Sequence, residues 1–248
     1  MSANSASFIL PTWPAPSSVR AYMSTRIGGV SGAPYDALNL GLHVQDDPVA
    51  VDQNRRLFAS YVDMPDSAIW LNQVHGTEVV TLPCEYLPAA ADAAMTRDVN
   101  QVCVVLTADC LPVFFCDQAG TQVAVAHAGW RGLCAGVLES TLAKFDDKSK
   151  VMVWLGPAIG PDAFEVGDEV KEAFVSVLSE AKEAFKPSGE SGKWLGNLYM
   201  LAAQRLKKAG VEHIYGGDYC TFRDVERFYS YRREAVTGRM ASVIWLDR

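Results

Sequence analysis

The sequence predicts an α+β domain built on mixed β-sheet and covered by helices. Three observations carry this reading. Apolar, β-branched runs are interspersed with amphipathic segments, but not in the strict strand–helix alternation of a parallel α/β fold. Asp117-Gln118-Ala119-Gly120 is a hairpin turn between two apolar runs, so some neighbouring strands are antiparallel. The 248 residues, 49% hydrophobic and 21% charged, suffice for one large core, and no repeat or clear linker divides them.

In chain order, residues 1–18 are rich in Ser, Ala and Pro and read as an N-terminal extension ahead of a domain over residues 19–248. Residues 19–25 read as the first strand. Residues 26–45 form a Gly-, Asn- and Ser-containing loop too long for a simple turn, and long ordered loops are often functional. Asp47 is placed to cap a helix with Pro48 at its first position, running to about residue 62. Residues 68–71 and 78–82 read as strands flanking the His75-Gly76 turn. Residues 102–106, 111–116 and 121–126 read as apolar strands. A helix is expected from residue 130 or 131 to about 145, with the weakest seam of the chain just after it, at residues 146–150. Residues 151–155 then read as a strand and 167–178 as a helix. Residues 188–192 read as a polar loop, and Asn197 as the cap of a helix ending before Gly210. Strand-like runs follow at 213–215, 228–231 and 241–246.

Charge and cysteine usage narrow the functional classes. A formal charge of −7 argues against non-specific binding to nucleic acid or anionic membranes, while leaving room for a small anion held by a few arginines. No apolar run has the length of a spanning helix. The N-terminus lacks a basic region, and Phe8-Ile9-Leu10 is too short for a signal core, so a cytoplasmic location is expected. The six cysteines show no CxxC pair and read mostly as small buried hydrophobes in a reducing compartment.

Three segments place polar groups where apolar runs should end: Asn72-Gln73-Val74-His75-Gly76, Thr107-Ala108-Asp109-Cys110-Leu111-Pro112 and His127-Ala128-Gly129-Trp130-Arg131-Gly132. His75, Cys110 and His127 would supply two imidazoles and a thiolate, a set suited to zinc with a fourth position open. The same residues also fit a cysteine nucleophile, with a histidine as base and Asp109 as the orienting acid. A buried thiol with locally bonded histidines is the third reading. Asp109 is also a candidate to orient a metal ligand or hold a substrate proton, and Gln73 shares the His75 segment. Arg131 begins a helix, where a guanidinium would suit phosphate or carboxylate. Arg26, ahead of Gly28-Gly29, marks a second anion-binding loop, and Arg55 lies on the first helix. Trp70, Trp130 and Phe164 are positioned to stack on a base or to fill the core.

Several of these segments together resemble the YfiH family, also called laccase-domain, polyphenol-oxidase-like or peptidoglycan-editing-factor proteins. They are residues 25–35, Leu38-Asn39-Leu40-Gly41, 70–76, 107–113, 127–132, Gly156-Pro157-Ala158-Ile159-Gly160 and Ser230-Tyr231-Arg232-Arg233. The resemblance spans residues 20–246. It implies a layered α/β/β/α fold with mixed sheets and a zinc ion on His75, Cys110 and His127. It further implies a purine nucleoside enzyme that phosphorolyses adenosine, inosine and methylthioadenosine and deaminates adenosine. The catalytic set is then His75, Cys110 and His127. Candidate substrate contacts are Arg26, Arg55, Gln73, Asp109 and Arg131, with phosphate as co-substrate. The expected state is a monomer or weak dimer.

Three alternatives use the same residues. One is a cysteine or zinc hydrolase acting on peptidoglycan precursors. Another is a copper-dependent polyphenol oxidase, which is disfavoured: the chain has only four histidines, His43, His75, His127 and His213, too few for an additional copper cluster. The last is a non-enzymatic scaffold with the metal closed by a fourth ligand such as Asp109.

Overall fold

The computed structural model describes residues 7–86 and 90–247. Residues 1–6 of the expected extension, and Arg248, lie outside them. Two sheets stack face to face, with helices on both outer sides. The larger sheet joins β4 (Val79–Leu82), β5 (Ala93–Thr96), β7 (Leu111–Asp117), β8 (Val123–Ala128), β9 (Val151–Leu155) and β13 (His213–Gly216), in the order β13-β9-β7-β8-β5-β4. The second joins β1 (Phe8–Ile9), β2 (Val19–Ser24), β3 (Ile69–Trp70), β6 (Cys103–Thr107) and β14 (Met240–Leu246), in the order β1-β2-β14-β6-β3. Both are mixed: β7 pairs antiparallel with β8 across the expected hairpin, whereas β4 pairs parallel with β5 and β3 with β6.

The two-residue period of a strand explains the layering. On β7, Val113 and Phe115 face the core shared with the helices, while Phe114 and Cys116 face the other sheet. On β14, Met240 and Ile244 face the inter-sheet core, while Ala241, Val243 and Trp245 face the opposite side. Strands buried on both faces read as continuous apolar runs rather than as alternation. The outer layer beyond the six-stranded sheet is α2 (Trp130–Ala135), α3 (Val137–Leu142), α4 (Asp168–Val177) and α5 (Leu198–Lys208). Beyond the five-stranded sheet lies α1 (Pro48–Tyr61), whose Val51 and Phe58 are buried. The order α/β/β/α is the one the resemblance implies.

Helix α1 starts as the sequence indicates, with the Asp47 side chain accepting from Val49 N at 2.9 Å and Pro48 in the first turn. Asn197 caps α5 in the same way, accepting from Met200 N at 3.0 Å.

Three features depart from the sequence reading. The helix expected over 130–145 breaks at Gly136, whose φ of 108° only glycine tolerates freely, giving α2 and α3. Residues 228–231 are not a strand. Phe228 and Tyr229 are buried, but Tyr229 N donates to Met240 Sδ and the Ser230 hydroxyl to Asp109, so this backbone serves a loop. Three sets of strands are additional, one of them β5, whose alanine-rich run carries no strand signal. Phe8–Ile9, inside the expected extension, pairs antiparallel with β2. Glu165–Gly167 (β10), Phe185–Pro187 (β11) and Lys193–Gly196 (β12) form a small three-stranded sheet.

Phe114 and Trp154 meet edge to face at 5.4 Å in the inter-sheet core, and neither is exposed. Truncating Phe114→Ala is expected to destabilise the protein by about 3–5 kcal/mol. Thermal denaturation should then show a melting point lower by roughly 10 °C.

Candidate metal centre and cleft

The site lies where strands of both sheets end. Trp70 closes β3 ahead of the His75 loop; Thr107 closes β6 and Cys110 precedes β7; His127 lies near the end of β8. Layer stacking thus brings together three segments that are far apart in sequence. The ligand atoms of His75, Cys110 and His127 all lie within 4.8 Å of one another. Cys110 Sγ is 3.8 Å from His75 Nε2, and the two imidazoles meet edge to face at 4.7 Å between centroids.

One residue absent from the sequence reading organises this cluster. Asp92, fully buried just before β5, accepts four hydrogen bonds. Its Oδ1 takes His75 N at 2.9 Å and His127 Nδ1 at 2.8 Å. Its Oδ2 takes Val74 N at 3.2 Å and Gly76 N at 2.7 Å. Burial opposes ionisation of this carboxyl. The bonds from His127 and from the Gly76 and Val74 amides outweigh that, holding it below its usual range. A carboxylate only accepts, so Nδ1 of His127 carries a proton, and Nε2 faces the cluster, where loss of its own proton would give a metal its lone pair. The same bonds hold His75 at φ 61°, in the left-handed region a non-glycine residue seldom occupies.

The thiol is tuned in the same direction. Burial alone would raise the Cys110 pKa. The charge of His127 and hydrogen bonds from His127 and His75 overcome this and bring it to about 6. Burial likewise pulls His127 down, but Cys110 and Asp92 together push it up to about 9. The other two cysteines buried in these strands go the opposite way: burial pushes the Cys116 thiol up to about 12 and drives Cys103 higher still.

The space beside the three ligands is kept by glycine. A Cβ on Gly129 would lie 2.5 Å from His75 Cδ2 and 3.1 Å from Cys110 Sγ, and one on Gly132 would lie 2.8 Å from Gly76 O. A soft–borderline donor set of one thiolate and two imidazoles, oriented by a buried carboxylate, fits a metal of the zinc type. Three protein donors leave a coordination position for an exogenous group.

The cluster opens into a cleft of about 790 Å³, a volume ordinary for a small-molecule site. Its walls include Trp70, Asn72, Gln73, Thr107, Tyr231, Arg55, Arg131, Arg239 and His43. Arg55 is half-buried, stacks on Trp70 at 3.7 Å and donates to Leu40 O; burial lowers its pKa to about 10. Gln73 lines the cleft, but its amide is taken up by Leu106, donating to its carbonyl at 2.8 Å and accepting from its N at 2.7 Å. Arg131 is exposed on the rim, its guanidinium 4.5 Å from the Trp130 ring centroid.

Two candidates are placed elsewhere. Arg26 does not line the cleft; it donates to Asp36 O and Val225 O, pairs with the Asp36 carboxylate, and lies over Tyr229, tying loops together. Asp109 orients neither histidine. Its carboxylate accepts from Thr221 Oγ1 at 2.6 Å, Ser230 Oγ at 2.9 Å and Arg232 N at 2.7 Å, which docks the 221–232 loop beneath Cys110. Phe164 belongs to the helix-side core, and Trp130 packs against it.

Asp92, His43, Tyr231 and Arg239 escaped the sequence reading. Asp92 sits in Ala90-Ala91-Asp92-Ala93-Ala94, where a lone acid among alanines was the available signal. His43 was visible as one of only four histidines.

The fold and the cluster define a class: a layered α/β/β/α protein with a His/Cys/His cluster at the ends of its sheets whose donors could hold a metal. The chain belongs to the YfiH family: the family described as multi-copper polyphenol oxidoreductase laccase matches residues 20–247. It is 55% identical to the purine nucleoside phosphorylase YfiH of Escherichia coli over 240 residues, 96% of this chain and 98% of that protein. It is 52% identical to a purine nucleoside phosphorylase of Haemophilus influenzae, over 96% of this chain and 99% of that one. A crystal structure of a Neisseria meningitidis protein superposes with a TM-score of 0.93 at 48% identity, covering 98% of this chain and all of that one (100%). No helix among the described residues is long and apolar enough to cross a membrane.

Replacing Asp92 with Ala should leave His127 without its orienting carboxylate and the His75 loop without its anchor. Titration of zinc against a chelator of known affinity should show binding weakened by about 10–100-fold or more.

Proposed function

We propose that this chain is a zinc-dependent purine nucleoside enzyme, acting as a phosphorylase on adenosine, inosine and S-methyl-5'-thioadenosine and as a deaminase on adenosine. The observation that carries the reading is the pairing of an open His75/Cys110/His127 cluster with a cleft whose described lining has three arginines, three histidines and no acid. Similarity to relatives named purine nucleoside phosphorylase supports the substrate class.

In phosphorolysis, a phosphate oxygen forms a bond to the ribose anomeric carbon as the bond from that carbon to the purine nitrogen breaks. The electron pair leaves with the purine, which is then protonated. In deamination, water adds at the amino-bearing ring carbon and ammonia departs. Both reactions bring an oxygen nucleophile to an electron-poor carbon. A bound zinc ion supplies Lewis-acid polarisation of whatever enters its open position.

The chain's own groups supply the rest. Asp92 fixes His127 in one tautomer and so fixes the geometry of the ligand set. The cationic walls draw phosphate into a protein of net charge −7. Tyr231, 58% exposed in the cleft wall with the Arg239 guanidinium 5.8 Å from its ring centroid, offers an aromatic surface to a purine, whereas Trp70 carries Arg55 closer, at 3.7 Å. We assign the protein to the cytoplasm, where nucleosides and phosphate are available.

A copper oxidase of the multinuclear kind, which the family description names, is disfavoured by the donor count. Among the described residues one cluster of three metal-binding side chains exists, and the two further histidines do not extend it. A cysteine hydrolase acting on a cell-wall precursor draws on one observation, the chain Cys110–His127–Asp92, which has the order nucleophile, base, orienting acid.

Purified protein should carry about one zinc per chain and convert adenosine in the presence of phosphate. Cys110→Ala should lose both the metal and turnover, and zinc should protect Cys110 from alkylation. Full turnover by metal-free protein, with a trapped acyl group on Cys110, would replace this reading with the hydrolase.

A further inference from the structure

The cationic residues of the cleft are not equivalent, and one group is built as a unit. Asn39, fully buried, accepts from both Gly41 N at 3.0 Å and Arg239 N at 2.9 Å. Leu40 N donates to Arg239 O at 3.1 Å, and the Arg55 guanidinium donates to Leu40 O. A Cβ on Gly41 would lie 2.8 Å from Arg239 Cγ, so the stem of that arginine is seated against the loop. The same loop then turns through Leu42–Val44 and presents His43 to the cleft. A buried hydrogen-bond network therefore holds His43, Arg55 and Arg239 on one wall.

Holding like charges together is unfavourable unless an anion joins them. Neither arginine forms an ion pair with a carboxylate among the described residues; the Arg239 guanidinium donates to the carbonyls of Thr237 and Gly238 and lies over the Tyr231 ring. The crowding is felt: burial lowers His43 first, and Arg239, Arg55 and His127 depress it further. Arg239 too is lowered by burial.

A second observation lies in the floor of the same cleft. Thr107 is 2% exposed, lines the cleft, and its Oγ1 has no hydrogen-bond partner. A buried hydroxyl without a partner is uncommon and calls for one. Thr107 pairs in register with Met240, the neighbour of Arg239, so the two residues reach the cleft from adjacent strand ends.

We propose that Arg239, His43 and the Thr107 hydroxyl form the subsite that seats inorganic phosphate, the co-substrate of the phosphorolysis proposed above, on which this assignment rests. Arg55 backs the subsite. Arg131, exposed in the cleft lining with the Trp130 ring as its contact, steers anions without seating them. The anchored group is preorganised and partly desolvated, which favours tight, oriented binding of a tetrahedral oxyanion.

The test is equilibrium binding of inorganic phosphate to the zinc-loaded full-length protein, by calorimetry, for wild type and for Thr107→Val, His43→Gln, Arg239→Met and Arg131→Ala. Arg239→Met should weaken phosphate by about tenfold or more, and Thr107→Val and His43→Gln by about threefold or more. Zinc content should be unchanged in all four, nucleoside affinity should be unchanged in Thr107→Val and His43→Gln, and Arg131→Ala should weaken phosphate by less than Arg239→Met does. Thr107→Val preserves shape and strand propensity, so it informs even where Arg239→Met disturbs the loop. Wild-type phosphate affinity in both Thr107→Val and His43→Gln, no phosphate binding by wild type, or loss confined to Arg131→Ala would each overturn the assignment. Phosphate bound as described by an enzyme that does not phosphorolyse nucleosides would uphold the subsite and remove the activity.

Discussion

A single buried carboxylate holds the site together. Asp92 receives the ring of His127 from β8 and three successive amides of the His75 loop from the other side. It therefore sets where two of three candidate metal ligands sit relative to each other. Four accepted bonds offset the desolvation of the charge, and removing any of them leaves a buried group unpaired. The left-handed turn at His75 persists because this carboxylate over-determines it. Cys110 is braced differently: Asp109, at φ 86°, anchors the 221–232 loop, and the thiolate next to it faces the two imidazoles.

The layered fold explains why the site lies where it does. Two sheets packed face to face bury nearly every residue of their central strands, and the polar chemistry is displaced to the strand ends. At that rim, the loops following β3 and β6, the end of β8 and the start of β14 converge. Residues as distant in sequence as His43 and Arg239 become neighbours across one cleft. Cationic side chains gather there although the chain carries a net charge of −7, so the local field is opposite in sign to the whole.

Much of this was legible in the sequence, for physical reasons. Asp47-Pro48 and Asn197 announce helix starts because their capping chemistry is local. The hairpin at Asp117–Gly120 and the apolar runs of β6 to β9 are equally local signals. His75, Cys110 and His127 stood out as reactive side chains at strand ends. What could not be read was long-range. Asp92 sits in an alanine-rich stretch with no β-branched pattern, and its role depends on pairing with β8. Asp109 and Arg26 looked like site residues because of their neighbours in sequence, yet both are engaged by loops from the C-terminal third of the chain. Gly136 breaks a helix that the apolar pattern alone would continue.

The central claim is that His75, Cys110 and His127 together hold one zinc ion with a position left open. X-ray absorption at the zinc edge on the purified holoprotein tests it most directly. The account predicts a first shell of one sulfur at about 2.3 Å and light donors at about 2.0–2.1 Å, two of them imidazole, with the sulfur lost in Cys110→Ala. A shell without sulfur, or one unchanged by that substitution, would contradict it.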